Sequence, residues 1–326
     1  MTNDRTDGQW LASAAALAER ARPLSRPNPA VAALIVREGR VVGRGWTAPG
    51  GRPHAEAAAL AMAGEASRGA TLYVTLEPCA HRSERGPACA DLVAAAGLAR
   101  VVAAVEDPDP RTAGQGLTRI AGAGVPAALV PSPEAAASLA GYLVRLRLGR
   151  PHVTLKLALS LDGCLALADG RSRWITGPAA RAHGHLERAR SDAILVGGGT
   201  LRADTPALDI RLPGLEARPL PRWVLTRGRA PDGWNSIDAP EQVGVIPGHY
   251  LLVEGGAVTS AAFLAADLVD RLLIYRAPIV IGGGRPGVAA LGLGDLAEAH
   301  GRWHLAERRA LGTDTLEAYE RLPAPG

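Results

Sequence analysis

The chain has 326 residues, enough for two ordinary domains with a core each. Hydrophobic residues make up 47%, aromatics 4%, and the formal net charge is +4, with no run of five basic residues. That composition excludes a mainly disordered chain and argues against a nucleic-acid partner, since stacking residues and basic stretches are both scarce.

Three cysteines make no disulfide framework, the first residues carry no apolar signal core, and no apolar run nears the ~18 residues of a membrane span. A cytoplasmic protein with no membrane partner is expected. Of the 36 basic residues only Lys156 is a lysine. It is either a chance survivor or a position where a compact ammonium does what a planar guanidinium cannot.

In chain order, residues 8–22 read as a helix through Trp10, Leu11, Ala14, Leu17, Ala18 and Ala21, ending at Pro23. "AVAALIV" and "RVVGRGW" flank Glu38-Gly39 and read as a hairpin. A helix over about 54–63, strand "TLYVTL", helix 90–97, strand "RVVAAV", helix 114–122, strand 126–130 and helix 134–147 follow. This order predicts a mixed sheet covered by helices. "RLRLGRPH" marks the boundary between domains at 1–149 and 150–326. The second pattern runs strand "HVTLKLALS", helix 178–190, strands "DAILVGG", "RWVLT" and "YLLVEGG", helix 260–269 and strand "RLLIYRAPIVIG".

His54-Ala55-Glu56 opens an alanine-rich helix, and Glu77-Pro78-Cys79 and Cys89 come later. One imidazole and two thiolates leave a tetrahedral zinc with an open position, the arrangement of a catalytic site. Such a site activates water for attack on a ring carbon bearing an amino group, and a nearby carboxylate must move the proton. Glu56 fits that task if it meets His54 around the first helical turn. A lone His-x-Glu is usually surface and a lone cysteine usually core; the combination matches the first half of the zinc nucleobase deaminase signature. The nine residues between Cys79 and Cys89 depart from it, and His81 is a competing ligand.

In the second half, polar residues cluster at strand ends, where open α/β sheets bind ligands. Glu254-Gly255-Gly256 precedes a helix start with Thr259 and Ser260, and Gly197-Gly198-Gly199 follows "AILV". Such turns let backbone amides approach a phosphate, although no G-x-G-x-x-G fingerprint occurs.

With Pro27-Asn28-Pro29, "TLEPCAH", "CADLVAAAG", "DPDPRTAGQGL", "KLALSLDG", "RWIT", "DAILVGGGT", "ADTPALDIR", "LLVEGG" and "APIVIGG" in order, almost the whole chain resembles the bifunctional riboflavin-biosynthesis deaminase-reductases. The resemblance implies an α/β fold class: a cytidine-deaminase-like α/β/α domain, then a dihydrofolate-reductase-like α/β domain. It implies hydrolytic deamination of a diamino-ribosylamino-pyrimidinone 5′-phosphate, then NADPH-dependent reduction of the ribosyl group to ribityl.

By that resemblance His54, Cys79 and Cys89 bind zinc, Glu56 transfers protons, and Asn28 contacts the pyrimidine. Ser172, Arg188, Leu208, Arg211 and Glu254 match substrate-contacting positions, with Lys156 at the ribosyl end of the site. Ala158, Trp174, Thr200, Asp204, Thr226, Gly255, Gly256 and Ala257 match NADPH-contacting positions. Asp109 stands where the family has asparagine, and Thr205 where it has an acid. Residues 227–249 are short for the family and read as a surface loop lacking a strand–helix unit. A homodimer that covers the gap through the reductase domain is expected. The alternative is a deaminase whose second half serves assembly only.

Overall fold

Two compact units, Met1–Leu148 and Gly149–Gly326, make up the chain in a computed structural model that describes residues 6–82 and 84–322. In the first unit, α1 (Asp7–Ala18) starts at Thr6, whose side chain accepts the Gln9 N–H while Gln9 accepts the Thr6 N–H. It ends earlier than expected, and turns carry the chain to Pro23. β1 (Ala32–Arg37) and β2 (Arg40–Trp46) form the expected hairpin. Glu38 and Gly39 both take positive φ (51° and 71°), as a two-residue primed turn requires.

The unit continues with α2 (Ala55–Ala63), β3 (Thr71–Val74), α3 (Cys89–Ala95), β4 (Arg100–Ala103), α4 (Gln115–Gly122) and β5 (Ala127–Leu129). It closes with α5 (Pro133–Ser138) and α6 (Ala140–Leu148). The sheet order is β2-β1-β3-β4-β5, antiparallel up to β3 and parallel beyond it, the mixed sheet that was expected. One face buries α1 through Trp10, Leu11 and Ala14, and the other buries α2, α3 and α4 through Ala59, Val93 and Ile120. The single helix expected over 134–147 is broken at Leu139. Ala135 packs into one core and Leu139, Tyr142 and Leu143 into the other, which a straight helix could not serve.

The alanines of α2 are there for close approach. A Cβ on Gly45 would lie 2.3 Å from the Ala55 carbonyl oxygen, and one on Gly43 2.4 Å from that of Ala59. Glycines on β2 and alanines on α2 let helix and strand touch backbone to backbone, which fixes where His54 and Glu56 emerge.

The second unit holds β6 (His152–Leu159), β7 (Cys164–Ala166), α7 (Pro178–Ala189), β8 (Ala193–Gly197), α8 (Gly198–Asp204), β9 (Arg222–Leu225) and β10 (Asn235–Ile237). Then come β11 (Tyr250–Val253), α9 (Ala257–Ala265), β12 (Arg271–Arg276), β13 (Arg285–Pro286), β14 (Trp303–Leu311) and β15 (Asp314–Arg321). The eight-stranded order is β10-β9-β8-β11-β6-β12-β15-β14; only the last two pairings are antiparallel. β7 and β13 pair separately. On β6, Val153, Leu155, Leu157 and Leu159 join the core with Phe263 of α9. The period of two sends Lys156 and Ala158 to the opposite face.

Three expectations are corrected. α9 begins at Ala257 rather than 260, because Gly256 is its N-cap and Thr259 must pack against Gly197 and Gly255. The strand after it stops at Arg276. Residues 227–249 are no plain loop: β10 extends the sheet parallel to β9, and a short 3-10 turn (Pro240–Val245) follows. Ile237, Val243 and Ile246 are buried in the core, so the gap is filled from within. No helix among the described residues is long and apolar enough to cross a membrane.

Gly45→Ala should push α2 away from β2 and cost about 1–3 kcal/mol, the usual range for overpacking. A lowered thermal midpoint in calorimetry is the expected result; an unchanged one would show that the helix has slack.

Candidate active sites

His54 is the N-cap of α2, extended at φ −71° and ψ 164°, and its side chain does not cap the helix. The ring turns instead to the sulfurs: Nδ1 lies 3.6 Å from Cys79 Sγ and 3.3 Å from Cys89 Sγ. The three ligand atoms sit within 4.8 Å of one another, the one such group among the described residues. Cys89 opens α3, and its backbone N–H donates to Cys79 Sγ at 3.3 Å.

The hydrogen bond between the thiols holds Cys79 down, at about 4, and together with burial pushes Cys89 up. A divalent cation bound there would take both sulfurs as thiolates. One imidazole nitrogen and two sulfurs suit a zinc that keeps its fourth position for water. His81 is not part of the group; its Nδ1 meets Thr112 Oγ1 at 3.4 Å.

Glu56, in the first turn of α2, is buried. Burial pushes its carboxyl up to about 7, against the opposing pull of His54. A carboxyl there can both take and give a proton near neutrality. Asn28 braces the arrangement: its amide nitrogen lies 2.7 Å from His54 Nε2 and 3.0 Å from the Gly51 carbonyl oxygen.

Glu77 escaped the sequence reading. Its carboxylate accepts backbone N–H groups from Asp107 (3.3 Å), Gly114 (2.9 Å), Gly116 (2.8 Å) and Leu117 (3.1 Å). A Cβ on Gly116 would lie 2.0 Å from the Pro78 carbonyl oxygen, so only glycine lets α4 come this close. The loop bearing Asp109 is thereby fastened to the strand end bearing Cys79. Asp107 accepts the Tyr142 hydroxyl at 2.7 Å, and Asp109 is paired with Arg111 through Nε at 3.0 Å.

In the second unit Glu254, directly after β11, is gripped by Arg188: Nε to Oε1 at 2.7 Å and Nη2 to Oε2 at 2.9 Å. Lys156 Nζ stands 3.9 Å from Oε2. Burial alone would raise Glu254, but Lys156 and Arg188 outweigh it and hold the carboxyl down at about 2. Arg188 Nη1 also donates to the Asp209 carbonyl at 2.9 Å, and the Asp209 carboxylate pairs with Arg211. This ties the loop with buried Leu208 and with Arg211 to α7.

A second group forms at the glycine turns. A Cβ on Gly197 would lie 2.0 Å from Thr259 Oγ1, on Gly198 3.2 Å from Thr226 Oγ1, and on Gly256 3.4 Å from Thr200 Oγ1. The glycines at these turns leave room for the side chains of Thr259, Thr226 and Thr200 to pack against the backbone. Ala158 lies two residues beyond Lys156 on the same face. Trp174 is 64% exposed under the Arg181 guanidinium, 4.8 Å from its ring centroid, with half-buried Ser172 two residues before. Asp204 ends α8, and its carbonyl accepts from Arg173 at 3.5 Å.

Residues 4–105 match the cytidine and deoxycytidylate deaminase zinc-binding region, and residues 151–238 and 244–316 match the RibD C-terminal domain. A zinc deaminase region is thus joined to a reductase domain. The chain belongs to the riboflavin biosynthesis protein RibD family. The Escherichia coli (strain K12) protein of that name is 38% identical, covering 94% of this chain and 97% of its own, and that of Haemophilus influenzae is 35% identical, covering 96% and 97%.

Among solved structures, Acinetobacter baumannii RibD (form 1) superposes with a TM-score of 0.84 at 33% identity, covering 97% of this chain and 99% of that one. A Thermotoga maritima diaminohydroxyphosphoribosylaminopyrimidine deaminase/5-amino-6-(5-phosphoribosylamino)uracil reductase gives 0.85 at 27% identity with the same coverage. Both halves of the expected fold are therefore present.

Arg188→Met should destabilise the chain by about 3 kcal/mol at neutral pH, because it leaves a buried carboxylate with Lys156 alone. A depressed carboxyl contributes stability above its unfolded value and loses it as pH falls through the folded one. The gap between parent and variant should therefore be full above pH 4.5 and close towards about 2. Urea titrations across that range test this, and a pH-independent gap would refute it.

Proposed function

We propose that the first unit hydrolytically deaminates 2,5-diamino-6-ribosylamino-4(3H)-pyrimidinone 5′-phosphate and that the second reduces the ribosyl group of the product to ribityl with NADPH. The observation that carries the reading is the convergence of His54, Cys79 and Cys89 beside buried Glu56, in a chain of this family. Zinc held by these three residues would supply a Lewis acid that activates water. Glu56 takes one proton from the water and gives it to the ring nitrogen, then takes the second from the hydroxyl added to the ring carbon and gives it to the amine, which leaves as ammonia. Asn28 orients His54 and borders the pyrimidine.

In the second unit NADPH would supply hydride to C1′ of the ribosyl group. The Lys156 ammonium stabilises the oxygen charge that develops as the sugar ring opens. Ser172, Arg188, Leu208, Arg211 and Glu254 hold the substrate. Ala158, Trp174, Thr200, Asp204, Thr226 and the turn Gly255-Gly256-Ala257 hold the cofactor. A second half kept for assembly alone has no use for a buried carboxylate held ionised by two cations, an arrangement costly to bury. That feature favours a working reductase over that alternative.

Pairing of two chains through the second unit belongs to this reading. Its support is β14, nine residues long, which ends the eight-stranded sheet and offers an edge to a partner strand. The three-residue β10 at the other end is a poor edge.

Incubation with the diamino-pyrimidinone phosphate, with and without NADPH, tests both activities. Glu56→Gln should keep the metal yet lower ammonia release at least about a hundredfold, while Cys79→Ser and Cys89→Ser lose metal and His81→Ala does not. Normal ammonia release by Glu56→Gln would sink the assigned mechanism. Lys156→Arg should impair reduction and spare deamination; normal reduction would make the lone lysine a chance survivor. Light scattering of the full chain should give twice the 33.7 kDa of one chain.

A further inference from the structure

We propose that Tyr275 and His183 are a positioning pair for the reductase, holding the Lys156 ammonium at the place where it works. The idea rests on the role given to Lys156 above. Tyr275 lies on β12, in register with Ala158 of β6, so its ring shares the face that carries Lys156. The ammonium stands over that ring, 5.6 Å from its centroid, while Glu254 Oε2 lies 3.9 Å away. Lys156 is therefore held between a carboxylate and an aromatic face. A cation partly withdrawn from water over a ring is worth more than an exposed one; the Lys156 side chain is 24% exposed and Tyr275 1%. The ring cannot reach a substrate itself and acts through the lysine.

The hydroxyl end is fixed as well. Tyr275 Oη lies 2.7 Å from His183 Nδ1 on α7. His183 Nε2 meets the guanidinium of Arg309 on β14. An arginine only donates, so Nε2 must accept and Nδ1 must carry the hydrogen. His183 is thus neutral, as its burial favours, and donates to the tyrosine oxygen. Glu187, one turn further along α7, stands 3.9 Å from His183 Nε2 and pairs with Arg271 at 3.3 Å. The hydrogen bond anchors the far end of the ring, so its face stays presented to the ammonium. The chain Arg309–His183–Tyr275–Lys156 runs from the outermost strand to the reacting end of the site. It uses none of the residues matched to substrate or NADPH except the lysine.

The test is a double-mutant cycle in the full chain, with deamination by the same sample as a measure of intact protein. The deaminated pyrimidine phosphate is the substrate, and kcat and KM are read for it and for NADPH. Tyr275→Leu should lower kcat for reduction about tenfold or more, with both KM values within about twofold, because the loss falls on a charge that acts in the transition state. Tyr275→Phe keeps the ring and loses the acceptor, and His183→Phe breaks the same bond from the other side; each should cost a smaller, matching factor in kcat.

In a Lys156→Ala background all three should cost nothing further, since the residue they position is gone. Equal losses in both backgrounds would show a merely structural role and overturn the proposal, as would full activity in Tyr275→Leu. If Tyr275→Leu does not fold, the Phe variants carry the same comparison. Full reduction by Lys156→Ala alone would instead overturn the role of Lys156, a result separable from failure of the pair.

Discussion

A carboxylate buried in protein costs several kcal/mol unless donors or cations replace the water it gives up. Glu56 and Glu77, which are buried, and Glu254, whose side chain is 14% exposed, meet that constraint in three ways, and the chemistry of the chain follows from the differences. Glu77 is satisfied by four backbone N–H groups and becomes a fastener between a strand end and a loop. Glu254 is satisfied by Arg188 and Lys156 and stays ionised. Glu56 has His54 to oppose its burial but too little else, and its carboxyl rises to about 7. The group with too few partners is the one able to exchange a proton, and those with enough partners hold shape and charge. Environments that push like groups apart are how one chain separates acid–base work from structure.

The two units reach this by the same placement. Glu77 follows β3 and Glu254 follows β11, each just beyond the carboxyl end of a strand with a parallel neighbour. Glycine then removes side chains where backbones must meet: Gly116 over Pro78, Gly197 and Gly255 against Thr259. Stabilisation from the core pays for these polar ends. The cores under β3 and β6 are mostly aliphatic and pack the strands that carry these ends.

What was legible in the chain follows sequence distance. His54 and Glu56 are two apart, and the turn that brings them together is local, so the pair could be read directly. The glycine turns, the hairpin at Glu38-Gly39 and most strands were readable for the same reason. Glu77 was not, because its donors lie 30 to 40 residues away on a loop whose course only the fold decides. His183 and Tyr275 are 92 residues apart, and neither sits in a recognisable motif. β14 carries glutamate and arginines on a largely exposed strand, without the alternation that marks a half-buried one. Residues 227–249 misled because prolines and polar residues suggested a loop, whereas Ile237, Val243 and Ile246 are spaced to plug a core.

The lone lysine, read first as a matter of composition, is explained by the occupancy of Glu254. Both of its oxygens are already taken by the planar fork of Arg188. A second guanidinium at position 156 would find no free pair of oxygens to bind bidentately, and its plane would have to compete with Tyr275 for the space between ring and carboxylate. An ammonium needs neither a fork nor a plane. As a point charge it rests over the ring at 5.6 Å, faces Oε2 at 3.9 Å, and still has N–H groups to turn toward a substrate oxygen. A chain that uses arginine at every other basic position has a physical reason to keep lysine at this one.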